Sequence, residues 1–92
     1  VIFAKEGTMP ELSRFYGIVI RLHYEEKEHN PPHIHARYGK EAASIDICSG
    51  EIISGSLPPN ARSLVKQWVL LHSGEIKEIW DTQEFRKIKP LE

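Results

Sequence analysis

The chain has 92 residues, with 12 basic and 13 acidic side chains and a net charge of -1. That is the length of one small domain, and the charge balance removes the simplest case for nucleic-acid binding, a strongly basic surface. The lone cysteine, Cys48, excludes an intramolecular disulfide and a cysteine-rich zinc site, and it fits a reducing cytoplasm as the expected location.

An apolar content of 40% is ordinary for a globular chain, so disorder throughout is not expected. No apolar run reaches the ~18 residues of a membrane span. The opening "VIFAKEGT" is too short for a signal peptide and lacks a basic start. Met9-Pro10 reads as a natural beginning, so residues 1–8 are taken as an upstream extension and the single small domain as 9–92.

"GIVIRLHY", Gly17 to Tyr24, alternates as a strand does. Ile18, Ile20, Leu22 and Tyr24 fall on one face, and Val19, Arg21 and His23 on the other. "EEKEHNPP" breaks the pattern as a solvated loop, with Pro32 forcing Pro31 toward an extended conformation. "HIHARY" alternates again, with His33, His35 and Arg37 opposite Ile34, Ala36 and Tyr38. "EAASIDIC" sets Ala43, Ile45 and Ile47 against Ser44, Asp46 and Cys48, and "EIISGSL" is a weaker strand.

Gly39-Lys40 suits a two-residue type II′ turn, with glycine first. That turn pairs His33 with Asp46, Ile34 with Ile45, His35 with Ser44 and Ala36 with Ala43, so like meets like; a slip of one residue would mix the faces. A second two-residue turn at Ser49-Gly50 is expected to set Asp46 opposite Ile53.

Pro58 and Pro59 suit a helix entrance, where their missing N–H groups remove no hydrogen bond. Ala61, Leu64, Val65, Trp68, Leu71 and His72 follow helical spacing and form the expected inner face. Ser73 is expected to cap a second helix carrying Ile76, Ile79 and Trp80, followed by a tail tied down by Ile88. These elements predict an α+β domain, a four-stranded antiparallel meander followed by two helices packed on one face. Trp68 and Trp80 are expected core anchors.

If the helices cover the isoleucine face, the opposite face carries Arg21, His23, His33, His35, Arg37, Ser44 and Asp46. One reading of it is a zinc site. His33 and His35 point the same way at i, i+2, and Asp46, His23 or His29 could complete the ligand set. A second reading is metal-free acid–base chemistry. Here Asp46 orients His33, and His35 supplies a second proton-transfer group. Arg21 and Arg37 hold a phosphate, with Tyr38 or Tyr16 beneath a base, which suits RNA cleavage. On this reading the catalytic set is His33, His35 and Asp46, the substrate-binding set is Arg21, Arg37 and Tyr38, and no cofactor is required. Two plainer readings stand beside these: histidines that only enter a strand, and a face that contacts another protein. Side chains on an open face add little to a core, so removing either histidine is expected to leave the fold intact.

The stretches "SRFYGIVIRLHYEEKEHNPPHIHARYG" and "LPPNARSLVKQWVLLHSGEIKEIW" together resemble the bacterial domain of unknown function 4160 family, over nearly the whole chain from Met9 to Leu91. Ile34 stands where that pattern suggests an aromatic residue. The resemblance implies a small cytosolic bacterial protein, often encoded beside a small partner protein, and the arrangement looks like a toxin–antitoxin pair with this domain as the toxin-like member. It carries over no catalytic residues. Together with the His/Arg face it leads to a toxin-like protein that acts on RNA, with a non-enzymatic protein-interaction domain as the alternative and no membrane partner.

Overall fold

Residues 10–22 and 31–92 are described by the structure, a computed structural model. Five strands, β1 (Glu11–Phe15), β2 (Ile18–Arg21), β3 (His33–Tyr38), β4 (Glu41–Asp46) and β5 (Ile52–Gly55), precede one helix, α1 (Pro59–Thr82). The strands form an antiparallel meander in the order β1-β2-β3-β4-β5. The α+β class stands, with five strands and one helix where four and two were expected.

The added strand is β1, and its own irregularity hides it. A bulge between Glu11 and Ser13 buries Leu12 and Ser13 in succession, so the period-two signal is lost. A two-residue turn, Tyr16-Gly17, joins β1 to β2 with φ of 49° and 81°. Two positive φ values are the signature of a type I′ turn, whose twist matches the flanking strands.

Every rung of the β3–β4 hairpin forms as its turn predicts, from Tyr38 opposite Glu41 to His33 opposite Asp46. Gly39 takes φ of 62° and Lys40 does not share the positive sign, as a type II′ turn requires. The next connection differs from expectation. β4 ends at Asp46, and the amide of Asp46 bonds the carbonyl of Glu51 at 2.9 Å, leaving residues 47–50 as the loop. A register shift between Ser44 and Ile45 then brings Ile52 opposite Ile45 and Ser54 opposite Ser44. Asp46 therefore does not face Ile53. Ile47, the first residue of this wider loop, is fully buried.

Gly55 closes this edge. Its φ is +82°, and a Cβ there would drive into the carbonyl oxygen of Ala42 and lie 2.9 Å from the Cα of Ala43.

The helix is continuous where two were expected. His72 leaves helical geometry (φ -115°, ψ 19°), yet the chain runs on to Thr82. Ser73 thus opens no second helix. Val65, Trp68 and Val69 before the kink and Ile76, Ile79 and Trp80 after it are all buried, so packing carries the helix through the irregular residue. Leu71 was placed on the inner face but is 68% exposed, because the true inner stripe passes through Val69 and His72.

Core residues from β1 to β4 and the helix make one cluster with Leu57 and Ile88, and Ile52 of β5 packs against it partly buried. The tail is tied down as expected. Ile88 N donates to Leu12 O at 2.8 Å and the Trp68 indole donates to Lys89 O at 2.9 Å. No described helix is long and apolar enough to cross a membrane.

Gly55→Ala combines a left-handed φ with a backbone collision. It is expected to lower unfolding free energy by roughly 2 kcal/mol or more, read by urea denaturation; a loss below about 0.5 kcal/mol would show that the β4–β5 edge yields freely.

Candidate functional site

The strand registers build one polar row across the sheet. Glu11, Arg21, His35, Ser44 and Ser54 are successive partners from β1 to β5. The neighbouring row carries Arg14, Val19, Arg37 and Ala42. Paired residues share a face, so Arg21, His35 and Arg37 do lie together, opposite buried Ile18, Ile20, Ile34, Ala36, Ala43 and Ile45.

His33 departs from this open picture. It is 4% exposed, and its ring centroid lies 5.2 Å from that of Trp80 and 5.2 Å from that of His35. Its Nδ1 meets Pro31 O at 2.8 Å. A carbonyl only accepts, so Nδ1 carries a hydrogen and donates it. Trp80, near the end of α1, shields the start of β3. His33 is therefore part of the packed interior rather than of the wet face.

Asp46 is the register partner of His33, as the hairpin requires, but its carboxylate serves its own turn. Oδ1 accepts from Cys48 N at 3.0 Å and Oδ2 accepts from the Ser49 hydroxyl at 3.2 Å. This is the aspartate-turn arrangement, in which a short side chain substitutes for a backbone acceptor. Ser49 Oγ accepts in turn from Glu51 N at 3.2 Å.

The remaining residues divide. His35 is half-buried, with Nε2 turned away from solvent. Arg21 is half-buried beside it, while Arg37 is exposed and donates to Gly39 O at 3.3 Å. Tyr38 pairs with Ile18 and leans over Gly17 on the opposite side of the sheet. It does not share a surface with Arg21 and Arg37. His23 and His29, the further metal ligands considered, lie outside the described residues. Among the described residues, no group of three His, Cys, Asp or Glu side chains is placed to hold a metal ion.

Another surface was not anticipated. Tyr16, Tyr38, Pro58, Pro59, Asn60 and Leu64 line a cleft of about 300 Å³ between the β1–β2 turn and the start of α1. The Pro-Pro helix entrance is legible in the sequence, but only the folded β1–β2 turn and the β2–β3 pairing bring Tyr16 and Tyr38 to the same cleft. A shallower hollow of about 400 Å³ separates β1 from the tail, with Arg14 and Lys87 at its rim. Its charges satisfy one another. Arg14 donates to both oxygens of Glu11, at 2.9 and 3.2 Å, and that hydrogen bonding holds the Glu11 carboxyl below its ordinary range against an opposing desolvation.

Burial reverses the expectation that His33 can be removed without harm. His33→Ala empties a packed site against Trp80 and is expected to cost about 2–4 kcal/mol, in the range of large-to-small core changes. Asp46→Ala removes two charge-assisted hydrogen bonds from the turn and is expected to cost about 1–2 kcal/mol. Thermal and urea unfolding check both; a His33→Ala protein as stable as wild type would show that the ring is not a packing element.

Searches of curated proteins and of solved structures find no match for the chain. A family model does match, over residues 17–81, from the β1–β2 turn to the penultimate residue of α1, and its description is "Domain of unknown function (DUF4160)". The matched span holds the His/Arg face, the Asp46 turn and all but one residue of the tyrosine cleft. The chain belongs to the DUF4160 family.

Proposed function

We propose that this chain is a binding module, the toxin-like and partner-binding member of a two-protein system of the bacterial cytoplasm, acting by contact rather than by proton transfer. The observation that carries this reading is the state of the two residues best suited to catalysis. His33 is 4% exposed beneath Trp80, and both oxygens of Asp46 accept hydrogen bonds from the Ile47–Gly50 turn. A general base must come within hydrogen-bond reach of the proton it takes. His33 reaches no ribose hydroxyl unless Trp80 moves, and Trp80 is itself 3% exposed in the core.

One observation favours the second reading, action on RNA. Arg21, His35 and Arg37 occupy one face in adjacent register positions, and guanidinium groups there suit phosphate contacts. In that reading His35 is the proton-transfer group and the arginines hold the backbone.

An RNA integrity assay separates the two. Labelled total RNA incubated with the purified chain between pH 5.5 and 7.5 is expected to remain intact, and wild type and His35→Ala are expected to have equal effects on growth when expressed. Cleavage with a bell-shaped pH dependence, lost by ~10²-fold or more in a still-folded His35→Ala protein, would replace the binding reading with the RNA reading.

A further inference from the structure

The cleft at the entrance of α1 carries no charged residue in its lining. Tyr16 is 60% exposed and Tyr38 41% exposed at its mouth, an unusual use of two large rings. Tyr16 also occupies an unfavourable backbone position. It stands first in a type I′ turn with φ of 49°, where Asn, Asp or Gly is preferred. A left-handed φ is sterically unfavourable for an ordinary side chain. The turn itself gains nothing from tyrosine, so the residue is explained by what its ring does. Gly17 completes the shape, since a Cβ there would come within 3.2 Å of the Tyr38 ring. The absence of that carbon lets the ring lie against the turn.

The helix entrance adds polar partners. Pro58 occupies the N-cap with no side-chain cap hydrogen bond, and the first turn holds no acidic residue. The amides of Asn60 and Ala61 precede the first helical bond, Arg62 N to Pro58 O at 2.9 Å. Two tyrosines, two prolines and the first turn of α1 thus line one cleft that has no charged side chain in its wall.

We propose that this cleft docks an uncharged, proline-containing extended segment of a partner protein, an assignment that rests on the binding reading above and names the chemistry of its partner. A polyproline-type chain has carbonyls without internal hydrogen bonds and rings that lie flat on aromatic side chains. It is already extended, so little conformational freedom is lost on docking. A charged segment would be buried here without a counterion. A nucleic-acid strand would find no lysine or arginine in the lining to meet its phosphates.

The full isotope-labelled chain is titrated with an acetylated and amidated proline decamer and followed by amide NMR. Saturable shifts are expected at Gly17, Tyr38, Asn60 and Ala61. Tyr38→Ala is expected to weaken binding at least about tenfold, as for an interface aromatic anchor. Tyr16→Asn suits the turn better than tyrosine, so this protein should melt no lower than wild type while losing binding by a similar factor. Leu71→Ala, exposed on the outer side of α1, should bind as wild type. The assignment is overturned if the decamer leaves the cleft amides unmoved, if Tyr16→Asn and Tyr38→Ala bind normally, or if a single-stranded RNA decamer shifts those amides and the proline peptide does not. None of these outcomes changes the RNA integrity assay, so failure of the cleft and failure of the binding reading are told apart.

Discussion

Trp68 has no solvent exposure, and three separate parts of the chain are arranged around its indole. Its ring lies 5.7 Å from Phe15 at the end of β1 and 5.4 Å from His72 at the helix kink. Its N–H holds the carbonyl of Lys89, and the adjacent residue, Ile88, donates to Leu12 on the outer edge of β1. A buried indole needs a partner for its N–H. Here that requirement fastens the tail over an edge strand, whose free backbone groups would otherwise invite other chains. Helix, edge and tail are thus joined through one side chain.

The kink at His72 fits the same arrangement. The His72 ring packs on Trp68, and its Nδ1 lies 2.6 Å from Glu75 Oε1 one turn on. Departure from helical φ at one residue is offset by continued burial of Ile76, Ile79 and Trp80. Continuation of α1 in turn brings Trp80 over His33. The shielding that argues against a catalytic His33 is therefore a consequence of how the helix passes its irregular residue.

The two surfaces of interest lie at opposite ends of β3. His33 begins the strand and Tyr38 ends it, a separation of roughly 17 Å at about 3.3 Å per residue. The His33 end is closed by Trp80, and the Tyr38 end stays open beside the first turn of α1. Rigid secondary structure frames both ends, so the open end is a preformed surface and the closed end is a packed one. Between them lies the polar Arg21/His35/Arg37 face, with Arg37 exposed and Arg21 and His35 half-buried.

Much was determined by the sequence alone, for a local reason. Alternation in "HIHARY" and "EAASID" and a glycine-first turn specify the β3–β4 register completely, because a one-residue slip would expose every apolar side chain. The Pro-Pro entrance of α1 and the tie at Ile88 were legible in the same way. β1 was not, since a bulge erases periodicity and Tyr16 is a poor turn residue on propensity. Two helices were read for one because "HSG" is a local break signal, and only the tertiary core decides whether a helix continues through it. The accessibility of His33 and the convergence of Tyr16 and Tyr38 on one cleft likewise depend on residues distant in the chain. Which face a side chain points to follows from the strand period, but what covers that face is decided by Trp80, the tail and the turn, whose positions only the packed structure sets.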